Sequence, residues 1–266
     1  MVERIAYFFV YHGSRDARSA IAATALAERI FKELNSLLST SSIDGSSSSS
    51  VLFRVGALEL APEPLHHQLC DFSQDAAQRG IHCITVLPLF LLPGTHVQDD
   101  IPAEVSLAQQ MLGSSIQLRL HPHMGSHPQI ANWLMGHMSD ACMSTNEQVR
   151  IFVSHGSKKA GSHQPTQAIA NALDAISAYW LLAPSLEQVL TTVLTSQAEG
   201  KIQSIWIIPY FLFAGKITDA IVLTVQEYQH RFPEIRFQVA SPIGENETIA
   251  AFIAKWLTQS SVAGVS

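Results

Sequence analysis

Residues 5–14 read IAYFFVYHGS and residues 148–157 read QVRIFVSHGS, so the chain states one segment twice. Two further pairs follow in the same order: VLPLFLLPGTHVQDDI at 86–101 with WIIPYFLFAGKITDAI at 206–221, and IQLRLHPHMG at 116–125 with IRFQVASPIG at 235–244. Similarity that recurs in a fixed order is the mark of a duplicated folding unit. The 266 residues then divide into two units of ordinary domain size, 1–146 and 147–266, with the boundary in the polar stretch Thr145 to Glu147.

Within the first unit the apolar runs 5–11, 51–58, 82–90 and 116–120 are strand-length and do not alternate. Continuous runs of Val, Ile, Leu and Phe predict parallel strands buried on both faces. Segments 17–38, 63–79, 99–111 and 128–143 carry helical periodicity, with Asp16 and Asp99 or Asp100 near helix starts. The β-α alternation repeats from about residue 149 to 258. The expected fold class is α/β: a tandem duplication of a doubly wound, four-stranded parallel-sheet unit. With 14% charged and 47% apolar residues, the chain is lean in charge, as strands covered on both sides require. The serine-rich stretch from Ser39 to Ser50 reads as a loop joining the first helix to the second strand.

Several function classes drop out. The apolar run from Ile205 to Ala214 is about half a membrane span and contains a proline, so no spanning segment is expected. The apolar N-terminal stretch runs into His-Gly-Ser-Arg without a basic leader or cleavage site, which reads as the first strand of a cytoplasmic protein. Cys70, Cys83 and Cys142 form no CxxC pair, so neither a disulfide framework nor a structural zinc or cluster site is expected. A net charge of −6 argues against nucleic-acid binding, though not against a small anionic substrate. Neither GxGxxG nor GxxxxGK[ST] occurs, so no dinucleotide or ATP site is read.

The two copies disagree at ionisable positions. His12 follows the first strand, Glu59 closes the second and His96 lies in the turn after the third. The second copy keeps His155 but has Leu181 opposite Glu59 and Lys216 or Ile217 opposite His96. All three residues of the first copy fall at carboxyl ends of strands, the edge where open α/β sheets bind ligands. Two imidazoles and a carboxylate suit a divalent first-row metal and can also accept protons. Gly94 and Gly215, each between a strand and a helix, suggest positive φ or close ligand approach. His66 and His67 are adjacent on a helix and are not expected to share a metal. His121, His123 and His127 read as incidental residues of a flexible loop, with an accessory metal site as the alternative.

His-Gly-Ser-Arg at 12–15, Ala-Leu-Glu followed by Ala-Pro across 57–62, and PLFLLPGTHVQDDIP at 88–102 resemble the class II tetrapyrrole chelatases, specifically the sirohydrochlorin cobaltochelatases and ferrochelatases. The similarity extends through both copies, as in the long members that fuse two units. It implies an enzyme that inserts Fe²⁺, Co²⁺ or Ni²⁺ into sirohydrochlorin, the metal being a substrate and no cofactor tightly bound. By similarity His12, Glu59 and His96 bind the metal and help remove pyrrole protons. The second copy departs from the family's pattern in lacking the acid and the second histidine, which speaks against a second active site there, and the cysteine motif of some long members is lacking. Because sirohydrochlorin carries eight carboxylates, basic groups should rim its site, with Arg15, Arg18, Arg54, Lys158, Lys159 and Lys216 as candidates. Arg15, Arg54, Gly94 and His155 are taken as the residues that touch the tetrapyrrole. A monomer is expected, with a dimer as the alternative. The competing reading is a carrier that binds metal or tetrapyrrole without turnover.

Overall fold

The computed structural model describes residues 4–40, 50–138, 147–156, 164–196 and 202–262. The serine-rich segment at 41–49, Cys142, the boundary residues Thr145 and Asn146, and Lys158 and Lys159 lie outside the described residues. The first copy runs β1 (Arg4–Tyr11), α1 (Ala17–Thr40), β2 (Ser50–Ala57), α2 (Leu65–Gln78), β3 (Cys83–Pro88), a π-turn (His96–Asp100), α3 (Ile101–Leu112), β4 (Gln117–Leu120) and α4 (Ile130–Met138). The second runs β5 (Gln148–Ser154), α5 (Gln164–Ala172), β6 (Ile176–Tyr179), α6 (Leu186–Thr195), β7 (Ser204–Pro209), α7 (Lys216–Arg231), β8 (Arg236–Val239) and α8 (Ile249–Val262). Each copy forms a four-stranded parallel sheet, in the orders β2-β1-β3-β4 and β6-β5-β7-β8. The expected duplication of a doubly wound unit is therefore the observed fold.

The central strand shows why its apolar run does not alternate. From Ala6 to Val10 no residue of β1 is more than 1% exposed, so both faces are covered. Ala6, Phe8 and Val10 pack with Leu65, Leu69 and Phe72 of α2 and with Ile101 and Val105 of α3. On the other face Phe9 meets Phe53 of β2, which in turn meets Phe31 of α1. In the second copy Ile151, Val153, Ile205 and Ile207 form the equivalent core with Leu190 of α6 and Ile221 and Val225 of α7.

By packing, the chain separates into a unit of Met1–His127 with Glu247–Ser266 and a unit of Pro128–Asn246. The last helix of each copy is thus exchanged relative to the sequence repeat: α8 lies along α1 in the first unit, and α4 packs with α5 in the second. Ile249, Ile253, Ala254 and Leu257 of α8 are buried.

The HPHMGSH segment is ordered and belongs to this core, unlike the flexible loop expected. His121 donates its backbone N–H to Val86 at 2.8 Å, continuing the sheet pairing, and Met124–Ser126 form a 3₁₀ turn. The rings of His121 and His127 lie 4.4 and 4.7 Å from that of Trp256, and His127 lies 4.2 Å from Phe252. Both histidines are buried under α8. Burial pushes the pKa of His121, His123 and His127 below the usual imidazole range, His127 further through the neighbouring His121, while the Pro122 carbonyl partly opposes the effect at His121.

A pH dependence of stability follows. These native imidazoles stay neutral where the unfolded ones take up protons, near pH 6.5. Protonation then favours the unfolded chain, so this stability is complete above about pH 6.5 and is lost as the pH falls from there toward the lowered native values. Denaturant midpoints measured from pH 8 to 5 should fall below pH 6.5, and His127→Leu should flatten the decline. A wild-type midpoint constant over that window would refute the expectation.

Candidate metal centre

The site is assembled by strand pairing that continues past the regular strands. Leu58 donates its backbone N–H to Tyr11 and Glu59 donates to His12, both at 2.9 Å, so the ends of β1 and β2 stay zipped for two more residues. The chain then turns at Gly13, with φ +91°. A Cβ there would fall 1.9 Å from the carbonyl oxygen of Glu59, so only glycine lets the two strand ends approach this closely. His96 arrives from β3: Leu89 donates to Val10 at 2.7 Å, and the Gly94 carbonyl accepts from Val97 and Gln98 at 3.0 Å, opening the helical turn that carries His96.

The outcome is a convergent trio. Donor atoms of His12, Glu59 and His96 lie within 4.8 Å of one another, and among the described residues no other such group of His, Cys, Asp or Glu occurs. The two Nε2 atoms are 3.1 Å apart, with ring planes at 82°. Each ring's other nitrogen is engaged: His12 Nδ1 lies 2.9 Å from the Gly13 carbonyl and His96 Nδ1 lies 2.7 Å from Asp100 Oδ2. Carbonyl and carboxylate oxygens only accept, so the ring protons are assigned to Nδ1 in both residues. That assignment leaves both Nε2 atoms as acceptors, 3.1 Å apart. Two nitrogens bound at about 2.1 Å to one metal and separated as observed would subtend roughly 95° at the ion, within reach of tetrahedral or octahedral geometry.

Phe90 supplies an apolar neighbour, its ring 6.3 Å from His12 and 6.4 Å from His96. Beside Glu59 opens a cavity of ≈ 350 Å³ lined by Leu58, Glu59, Pro64, Leu65, Asp100, Ala103 and Glu104. Glu104 holds His66, accepting from both its backbone N–H and its Nδ1 at 2.8 Å. His67 pairs with Glu63 at 3.1 Å, so the adjacent histidines have separate partners.

The remaining candidates are placed unevenly. Arg15 is exposed on the turn two residues after Gly13, whereas Arg18 is tied to Asp16 at 2.6 Å. Arg54 is not brought to the trio: it lies five residues before Glu59, roughly 16 Å along the strand, paired with Asp75 and stacked 5.2 Å from the Phe72 ring centre. Gly94 is exposed with open space where a side chain would stand, but neither it nor Gly215 has positive φ; Gly215 is extended at 179°. The strained glycine of the site is Gly13, which sequence reasoning passed over. In the second unit Leu181 donates to His155 at 3.0 Å, which fixes Leu181 as the counterpart of Glu59. Lys216, also a rim candidate, is exposed at the start of α7.

The π-turn accounts for the two candidate counterparts of His96. Seven positions separate Gly94 from the buried Ile101, and six separate Gly215 from the buried Ile221. The first copy therefore carries one extra residue, absorbed where the Ile101 N–H reaches back to the His96 carbonyl. Counted from the glycine, His96 matches Ile217; counted from the isoleucine, it matches Lys216.

The CbiX family model matches residues 6–141 and, a second time, residues 150–260. Among solved structures the chain is similar to SirB from Bacillus subtilis with Fe³⁺, at 20% identity over 97% of this chain and 96% of that one, with a TM-score of 0.74. It is also similar to the sirohydrochlorin chelatase SirB from Bacillus subtilis subspecies spizizenii in complex with cobalt (20% identity, 99% and 98% coverage, TM-score 0.66). A third is CbiX, the terminal enzyme of sirohaem biosynthesis in denitrifying bacteria (17% identity, 96% and 99% coverage, TM-score 0.60). At these identities the structural likeness speaks for the fold. No curated protein sequence matches the chain. Among the described residues no helix is long and apolar enough to cross a membrane.

Proposed function

The chain belongs to the CbiX family, and from that membership we propose that it is a sirohydrochlorin chelatase, inserting Fe²⁺ or Co²⁺ into the tetrapyrrole without ATP. The observation that carries this reading is the convergence of two imidazole Nε2 atoms, 3.1 Å apart, beside the Glu59 carboxylate, a donor set that a shared divalent cation satisfies. The solved relatives hold Fe³⁺ and cobalt, metals that such a donor set accepts.

Insertion exchanges one M²⁺ for two pyrrole N–H protons. His12 and His96 hold the ion through neutral nitrogens, and Glu59 supplies one negative charge, so the bound ion keeps a net positive charge and open positions toward the macrocycle. As the pyrrole nitrogens take over the metal, the bases released are those nearest the departing protons: the Glu59 carboxylate and the freed Nε2 atoms. His12 and Glu59 are exposed, which gives both protons a way to water. The metal is a substrate consumed at each turnover, and the protein acts on small molecules in the cytoplasm.

The test is an anaerobic absorbance time course with sirohydrochlorin in excess over protein, adding Fe²⁺, Co²⁺ or Ni²⁺ separately and subtracting the uncatalysed rate. Repeated turnover is the expected result. Spectra that saturate at one equivalent, with no acceleration of insertion, would replace the enzyme with a carrier.

A further inference from the structure

We infer that Asp100 is a positioning residue of this site, fixing which nitrogen of His96 carries the proton and so presenting the Nε2 lone pair to the metal. The inference rests on the reading of His12, Glu59 and His96 as metal donors. Asp100 Oδ2 accepts from His96 Nδ1 at 2.7 Å, a short, charge-assisted contact. An imidazole that ligates through one nitrogen is held in the right tautomer and orientation by the partner of the other.

Asp100 lies inside helical backbone that already begins at Thr95, so its carboxylate stands at no free helix start. Its backbone is already helical, at φ −69° and ψ −51°, and its side chain accepts no backbone N–H of α3. The carboxylate is thereby committed to His96, four residues earlier across the π-turn. Single-turn π-bulges recur where a helix must re-aim a functional side chain. The second copy supplies a control within the same chain. It lacks the extra residue, starts α7 regularly at Lys216, and has Ala220 or Ile221 where Asp100 would be, according to the end from which one counts. Histidine, acid and π-turn are absent together, as expected if the acid serves the histidine.

His12 solves the same problem without a side chain, donating Nδ1–H to the Gly13 carbonyl. Asp100→Ala should therefore release one ring and leave the other set. In metal-free, ¹⁵N-labelled protein, His96 should give the Nδ1–H signature in wild type and in Asp100→Asn, whose amide oxygen still accepts, and should shift toward Nε2–H in Asp100→Ala. Co²⁺ titration should show 10–100-fold weaker binding for Asp100→Ala, the range for losing an outer-shell partner, with Asp100→Asn recovering most of the affinity. Asp100→Ser, too short to reach the ring, gives the same reading if the alanine variant does not fold. Wild-type tautomer and affinity in Asp100→Ala, with His96→Ala still losing Co²⁺, would overturn the inference and leave the metal site standing. A wild-type protein that binds no Co²⁺, or binds it as well after His96→Ala, would instead remove the reading of the site itself.

Discussion

Alanine at His12 or at His96 is expected to lower kcat/KM for the metal by at least about 100-fold, a loss of roughly 2.7 kcal/mol of transition-state stabilisation. Each substitution removes one of the three groups that converge within 4.8 Å, and loss of a direct ligand should cost at least as much as loss of an outer-shell partner. The fold should survive. His12 is exposed and His96 about one-third exposed, and the hydrogen bonds they give up go to the Gly13 carbonyl and the Asp100 carboxylate. Glu59→Gln separates the two tasks of the acid, since the amide oxygen can still face the metal but cannot accept a pyrrole proton. It should depress kcat more than it weakens Co²⁺ binding. His155→Ala separates metal from tetrapyrrole: its neighbour across the strand ends is Leu181 and no acid, so it should leave Co²⁺ binding unchanged whatever it does to the KM for the tetrapyrrole. Initial rates of insertion with direct Co²⁺ titration decide the matter, and wild-type rates in both His12→Ala and His96→Ala would sink the assignment.

Those three residues were legible in the sequence because topology does the convergence. Once the runs at 5–11, 51–58 and 82–90 are taken as parallel strands, their carboxyl ends share one edge, and His12, Glu59 and His96 follow those ends. The repeat sharpened the choice, since Leu181 shows that the fold tolerates an apolar residue where Glu59 stands. What stayed hidden depends on backbone detail. Gly94 and Gly13 both precede helices, and only the backbone φ and the distance to a neighbouring carbonyl distinguish the strained position from the open one. Asp100 looked like a helix-start acid, and its tie to His96 requires knowing that the intervening turn is π. The exchange of α4 and α8 was likewise illegible, because periodicity shows that a helix has a face to bury and not which sheet receives it. Arg54 read as a rim cation from its charge alone, whereas its place within β2 directs it to Asp75 and Phe72.

Gly13→Ala is the substitution expected to cost the most stability, about 3 kcal/mol or more. Two penalties add. A non-glycine residue held at φ +91° costs of order 1–3 kcal/mol, and the new Cβ would stand 1.9 Å from the Glu59 carbonyl oxygen, a backbone atom that cannot rotate away. Relief requires β1 and β2 to part at their ends, breaking the bond from the Glu59 N–H to the His12 carbonyl. Gly156 calibrates the second penalty, because it makes the same turn in the second copy at φ +78° but its Cβ would first meet the Tyr179 Cβ, at 3.2 Å. Gly156→Ala should therefore cost mainly the backbone term, about 1–2 kcal/mol. Denaturant unfolding of the two variants gives the difference directly. The atom that the added methyl group would displace belongs to the residue supplying the acid, so Gly13→Ala should also weaken Co²⁺ binding in whatever fraction stays folded, whereas Gly156→Ala should not. Equal stabilities for the two variants would mean that the close approach of the strand ends yields easily, and the His12–Glu59 spacing would then have to be set by the metal and not by the fold.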